Sequence, residues 1–175
     1  MQKSSITATI DFDREGVQHG FLTLPYSHDD SAWGSIMIPI TVIKNGHGPT
    51  ALLTGGNHGD EYEGITSLLK LTNSLQADQI QGRVIIVPMM NLPAVQNASR
   101  TSFIGTVTEK IADYFTRYLV PKCDFALDIH SGGKTLDIVP FAAAHRLDNL
   151  DQEEACILGA KLFGAPYTIS SKIMV

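Results

Sequence analysis

Apolar and polar positions along the chain follow one rhythm up to about residue 47 and another after Pro49. In the first stretch, residues 20–25 and 35–43 are strand-like runs rich in β-branched and aromatic side chains, and Lys44-Asn45-Gly46 closes the second with a turn. Pro25 and Pro39 point to edge positions, because proline cannot donate to a ladder. After Pro49 short apolar runs alternate with helical spacing. Residues 51–54 read as a strand, and residues 61–75 carry apolar side chains at 65, 68, 69 and 71, which predicts a helix. Residues 83–90 are apolar on both faces, as a central parallel strand must be. Residues 106–119 form a second predicted helix, with a capping start at Thr106-Val107-Thr108-Glu109 and an inner face of Ile111, Tyr114, Phe115 and Tyr118. Strands at 124–130 and 136–142 follow, then a helix over 152–163 ended by Gly164 and Pro166. This order predicts an α/β fold with a mostly parallel twisted sheet flanked by helices over residues 48–175. Residues 1–47 form a small N-terminal β-rich segment, and the whole is read as a single domain.

Composition narrows the classes without choosing one. The 175 residues suffice for one real core and are too few for two ordinary domains. A net charge of −5 with no Lys/Arg cluster argues against a nucleic-acid surface. No apolar run approaches the roughly 20 residues that span a membrane, and the first residues lack the apolar core of a signal peptide. Cys123 and Cys156 are far apart, with no CxxC pair, so two buried thiols are expected rather than a disulfide. Asn97-Ala98-Ser99 matches a glycosylation pattern by chance in such a chain. A soluble cytoplasmic domain is expected.

The chemistry concentrates at two strand ends. Leu52-Leu53-Thr54-Gly55-Gly56-Asn57-His58-Gly59-Asp60-Glu61 runs from a strand through paired glycines into a helix start, with His58 and Glu61 three residues apart. Asp128-Ile129-His130-Ser131-Gly132-Gly133 is a second strand running into glycines. In α/β folds sites gather outside the carboxyl ends of strands. Two imidazoles and one carboxylate, with a fourth position left for water, form the ligand set of a catalytic zinc hydrolase. Asp128 lies two residues before His130 on the same strand face and could accept its ring N–H; a solvated strand-edge aspartate is the alternative. Arg100, at the end of the loop 91–99, is the best local cation to face an oxyanion. His19, His28, His47 and His145 have no ligand spacing, and Glu63 is expected to be solvated. A metal-free domain with a structural His58 stays open on this reading.

Taken together, these residues resemble the succinylglutamate desuccinylase/aspartoacylase family, a zinc carboxypeptidase-like branch of hydrolases, and within it the N-acetyl-L-2,4-diaminobutyrate deacetylases of ectoine breakdown. The likeness is carried by Asp30-Ser31-Ala32-Trp33-Gly34, by residues 53–64, 82–88 and 106–115, and by residues 128–136. It implies one Zn2+ per chain held by His58, Glu61 and His130, with Arg100 polarising a substrate carbonyl. It also implies hydrolysis of the N-acyl amide bond of a small acylated amino acid such as N-acetyl-diaminobutyrate. Two departures accompany the matches. The family's Asn-Arg pair, which grips a substrate carboxylate shortly after the position of Arg100, has no counterpart, since only Thr101-Ser102-Phe103-Ile104 separate Arg100 from Gly105. The family's general base, a glutamate in a late segment, is not matched before Val175 either, so the chain reads as a C-terminally incomplete member. The alternative function is therefore a catalytically impaired zinc-binding remnant or partner subunit. The apolar ending Lys172-Ile173-Met174-Val175 reads as a strand cut short, whose edge would favour a homo-oligomer.

Overall fold

The computed structural model describes residues 4–27, 29, 33–100 and 105–172. Residues up to Leu136 form one compact unit and those from Asp137 a second. His28, Asp30-Ser31-Ala32, Thr101-Ser102-Phe103-Ile104 and the ending Ile173-Met174-Val175 lie outside the described residues.

The first unit is built on a six-stranded sheet. Its strands are β1 (Thr7–Ala8), β2 (Gly16–Pro25), β3 (Ser35–Asn45), β4 (Thr50–Gly55), β5 (Gly82–Val87) and β6 (Phe125–Ile129), in the spatial order β1-β2-β3-β5-β4-β6. Pairing is parallel across β5-β4-β6 and antiparallel from β1 through β3 to β5, so the sheet is mixed. The N-terminal β-rich residues thus extend the same sheet that carries the α/β alternation. β5, expected between parallel neighbours, has β4 parallel on one side and β3 antiparallel on the other.

The prolines do not mark edge strands. β2 and β3 are interior, but Pro25 is the last residue of β2 and Pro39 lies before Thr41, where the pairing of β3 with β5 starts. Proline is tolerated there because no β5 ladder bond is required at that point.

Helices cover both faces of the sheet. α1 (Tyr62–Ser74) buries Ile65, Leu68 and Thr72, an i, i+3, i+7 stripe, while Leu69 falls on its exposed flank. Leu68 packs with Ile43 and Ile86 and with the half-buried Leu53 and Ile129. After the short α2 (Leu92–Gln96), in a stretch expected to be loop, α3 (Gly105–Tyr114) continues into a π-helical turn, Phe115–Leu119. Val107, Ile111, Tyr114, Phe115 and Leu119 pack on the opposite face against Val42, Leu52, Ile85 and Val87. Ile85 and Ile86 therefore enter different clusters, which explains why the β5 sequence is apolar at consecutive positions.

The second unit pairs β7 (Phe141–Arg146) parallel to β8 (Tyr167–Lys172), with α4 (Leu150–Leu162) between them in sequence. The strand expected over 136–142 begins only at Phe141. Pro140 has no N–H to give, and Leu136 donates its N–H to the Gly132 carbonyl in a turn instead. Asn149 caps α4 by accepting from the Gln152 N–H. Cys123 and Cys156 are free thiols and half-buried, not fully buried. No helix among the described residues is long and apolar enough to cross a membrane.

One glycine sets how closely α1 lies on β6. A Cβ added at Gly64 would stand 2.6 Å from the Ile129 carbonyl oxygen, a backbone atom that cannot swing aside. Replacing glycine by alanine in a helix is worth about 1 kcal/mol, whereas overpacking costs about 1–3 kcal/mol. Gly64→Ala is therefore expected to destabilise the protein by up to about 2 kcal/mol in a denaturant titration, and a stabilised variant would show that α1 can move away freely.

Candidate metal centre

Three neighbouring parallel strands end at one place. The segment after β4 carries His58 and Glu61, the segment after β6 carries His130 and Ser131, and the segment after β5 leads through α2 to Arg100. At the tip of β4 the backbone turns with Gly56 at φ +65°, in the left-handed region where a side chain would be strained. The β4 and β5 tips are tied together. Met90 and Asn91 donate their N–H groups to the Gly55 and Gly56 carbonyls, Asn91 Nδ2 donates to the Asn57 carbonyl at 3.1 Å, and the Gly59 N–H donates to the Ser99 carbonyl at 2.9 Å. The His58 loop and the segment leading to Arg100 thus form one hydrogen-bonded piece.

Glu61 stands at the N-cap of α1, yet its side chain makes no cap hydrogen bond. Its carboxylate is only 4% exposed and is turned toward the histidines. Oε1 lies 2.7 Å from His58 Nδ1, and Oε2 lies 2.9 Å from His130 Nδ1 and accepts the Ser131 N–H at 3.0 Å. Arg100, 60% exposed, brings a guanidinium nitrogen to 3.6 Å from Oε1. The two imidazole rings are 5.1 Å apart between centroids and tilted by 55°. The position near a helix N-terminus also favours a negative side chain.

One donor atom from each of His58, Glu61 and His130 falls within 4.8 Å of the others, so the trio could hold a metal ion. A tetrahedral ion bound at about 2.0–2.1 Å sets its ligand atoms roughly 3.4 Å apart, which these side chains can reach by small movements. The donor set fits as well, being two neutral-capable nitrogens and one carboxylate oxygen.

His130 is held from its far side. Nε2 lies 2.7 Å from Asp128 Oδ2, so Nδ1 is the nitrogen turned to Glu61. The Asp128 hydrogen bond raises the His130 pKa to about 9 against the opposing effect of burial, and the Asp128 and Glu61 charges add to it. For Asp128 itself burial acts upward, but hydrogen bonds from His130 and Thr54 and the His130 charge hold its carboxyl below the usual range. Asp128 is therefore a bonded partner of His130, while it also stands exposed on the edge strand β6.

Some participants have no signal in the sequence pattern. Glu63 is exposed as expected, and there it accepts a hydrogen bond from Ser131 Oγ, which lowers its pKa. Thr54 reaches Asp128 across the β4–β6 pair. The place of Ser131 directly after His130 offers a hint, but Thr54 depends on strand register, which has no local signal. Among the four histidines without ligand spacing, His19 bonds Thr41 Oγ1 at 3.0 Å, away from this centre.

Comparison with known proteins fits this arrangement. The chain is 62% identical over 180 aligned positions to the N-alpha-acetyl-L-2,4-diaminobutyric acid deacetylase of Halomonas elongata, taking in 95% of this chain and 53% of that protein. Those 180 positions exceed the 175 residues of the chain, so the relative holds residues in the matched stretch that this chain lacks. A succinylglutamate desuccinylase from Silicibacter superposes with a TM-score of 0.95 at 52% identity, over 99% of this chain and 57% of its own. The product-bound ectoine utilization protein EutE (DoeB) from Ruegeria pomeroyi gives 0.94 at 56% identity, over 98% and 57%. The chain spans about half the length of these relatives. Residues 47–173 match the succinylglutamate desuccinylase/aspartoacylase catalytic domain, and the chain belongs to that family.

Proposed function

We propose that His58, Glu61 and His130 bind one zinc ion and that the chain serves a deacylase cleaving the N-acyl amide bond of a small acylated amino acid, with N-acetyl-diaminobutyrate as the substrate. The observation that carries this reading is the buried Glu61 carboxylate joined to Nδ1 of both histidines. The named activities of the relatives supply the substrate class. Bound zinc would supply Lewis acidity toward a carbonyl and acidify water near neutral pH. The chain's own residues orient a ligand and meet developing charge. Asp128 keeps the His130 Nε2 proton in place and leaves Nδ1 free to donate its lone pair. Arg100, exposed and adjacent to Glu61, is placed to meet negative charge developing on the substrate carbonyl oxygen. We propose the cytoplasm as its compartment, in keeping with two free thiols.

Metal binding without turnover is the second reading. It is favoured by the absence of any Asn-Arg dipeptide in the 175 residues and by the extra positions in the Halomonas relative. Acetate release from N-acetyl-diaminobutyrate by the zinc-loaded chain separates the two. Measurable turnover that falls about 10²–10³-fold in Arg100→Ala supports the deacylase. Stoichiometric zinc with no acetate supports the silent form.

The ligand assignment has its own test. His58→Ala and Glu61→Ala should each weaken zinc binding strongly in equilibrium dialysis, and a variant that keeps wild-type affinity would remove that residue from the set.

The pH dependence has a defined sign. In the metal-free protein the His130 pKa of about 9 lies above its ordinary 6.5. Protonation of His130 therefore stabilises the metal-free fold fully below pH 6.5, and this contribution is lost as pH rises toward about 9. Zinc requires the deprotonated ring, so its apparent affinity should climb about tenfold per pH unit up to about pH 9 and then level off. Calorimetric titration across that range checks it; an affinity independent of pH between 7 and 9 would exclude proton displacement from His130.

A further inference from the structure

The two histidines are placed by different means. His58 is located through the backbone on either side of it, by the Asn91 Nδ2 bond to the Asn57 carbonyl and the Gly59 N–H bond to the Ser99 carbonyl. His130 is located by side chains, and the series that holds it extends onto the neighbouring strand. In the parallel register of β4 and β6, Thr54 stands directly opposite Asp128. Residues so paired leave the sheet on the same face, with strands about 4.8 Å apart. Thr54 Oγ1 lies 2.7 Å from Asp128 Oδ1 and 3.4 Å from the Leu127 carbonyl. A hydroxyl has one proton, and O–H···O bonds normally span about 2.5–3.0 Å, so that proton goes to Asp128.

Two further facts make this contact a constraint. Thr54 is 6% exposed, and β-branching makes its χ1 stiff, so the hydroxyl has little freedom to turn elsewhere. The other donor to Asp128 besides His130, Asn57 Nδ2, approaches Oδ2 only at 3.5 Å, the outer limit of a hydrogen bond. The carboxylate's terminal torsion is intrinsically broad, so among the described residues it is Thr54 that holds Oδ1 and thereby sets the direction in which Oδ2 meets His130.

We propose that Thr54 is a positioning residue for the metal centre: its hydroxyl fixes the rotation of the Asp128 carboxylate, which holds the His130 ring with Nδ1 turned to the ion. This rests on His130 being a metal ligand. Without the hydroxyl, Asp128 keeps its charge but loses its fixed direction, and the His130 ring samples orientations in which Nδ1 leaves the other donors.

The test compares Thr54→Val, which removes the hydroxyl and keeps the branched shape, with Thr54→Ser, which keeps the hydroxyl. Zinc affinity is measured on the 175-residue chain by competition with a chromophoric chelator, and the visible absorption of the Co2+-substituted protein is recorded. Orienting partners typically contribute 10–100-fold in metal affinity, so T54V should weaken zinc about tenfold and alter the Co2+ bands, and T54S should restore both. In a D128A background T54V should weaken zinc no further, because the hydroxyl then has nothing to hold. If T54V does not fold, Thr54→Ala against Thr54→Ser makes the same comparison, since the two differ only in the hydroxyl. Wild-type affinity and an unchanged Co2+ spectrum in the hydroxyl-less variant, or an equal loss in the D128A background, would overturn the proposal. If H130A weakens zinc while T54V does not, Thr54 alone is excluded. If the wild-type chain binds no zinc, or H130A binds as tightly as wild type, the ligand reading fails and the proposal with it.

Discussion

Burying a carboxylate is costly unless its charge is met by donors, and that requirement organises the centre around Glu61. Both oxygens are engaged, Oε1 with His58 and Arg100, and Oε2 with His130 and the Ser131 N–H. Meeting them requires segments from three strands at once. β4 must hand over to α1 at Glu61, β6 must end at Ile129 so that His130 and Ser131 follow, and the segment after β5 must return to bring Arg100 alongside. The helix start yields something in return. Glu61 gives its own first turn no side-chain cap, an interaction typically worth about 1 kcal/mol, because the carboxylate is directed at the histidines.

Much of this was legible in the sequence, and the reasons are physical. Strand-to-glycine transitions at Gly55-Gly56 and Gly132-Gly133 mark strand ends, and in an alternating α/β chain those ends fall on one side of the sheet. That is why His58, Glu61 and His130 could be grouped although they lie far apart along the chain. The helical stripes of α1 and α3 were readable because burial on one face leaves a period of 3.6. β5 was readable as a strand because it is covered on both faces, by Leu68 with Ile86 on one and α3 on the other.

What stayed hidden depends on pairing between strands. Nothing in residues 35–45 announces that β3 runs antiparallel beside β5, and the sheet is mixed for that reason. Thr54 looks like the unremarked end of an apolar run until register puts it opposite Asp128. Glu63 is exposed, as its helical phase suggests, but the Ser131 hydroxyl it accepts from comes from a strand end far along the chain. Apolar residues at 136, 138 and 139 mimic the start of a strand, but Pro140 delays β7 to Phe141. Membership of the succinylglutamate desuccinylase/aspartoacylase family adds relatives of named activity to this geometry, while the chain itself spans about half their length.

X-ray absorption at the zinc edge of the loaded protein reads out whether one zinc ion is held by Nδ1 of two histidines and the Glu61 carboxylate. The expected spectrum has a first shell of nitrogen and oxygen at about 2.0–2.1 Å, with the outer scattering of two imidazoles, which falls to one in His130→Ala loaded at saturating zinc. A shell containing sulfur at about 2.3 Å, or a spectrum unchanged by His130→Ala, would contradict it.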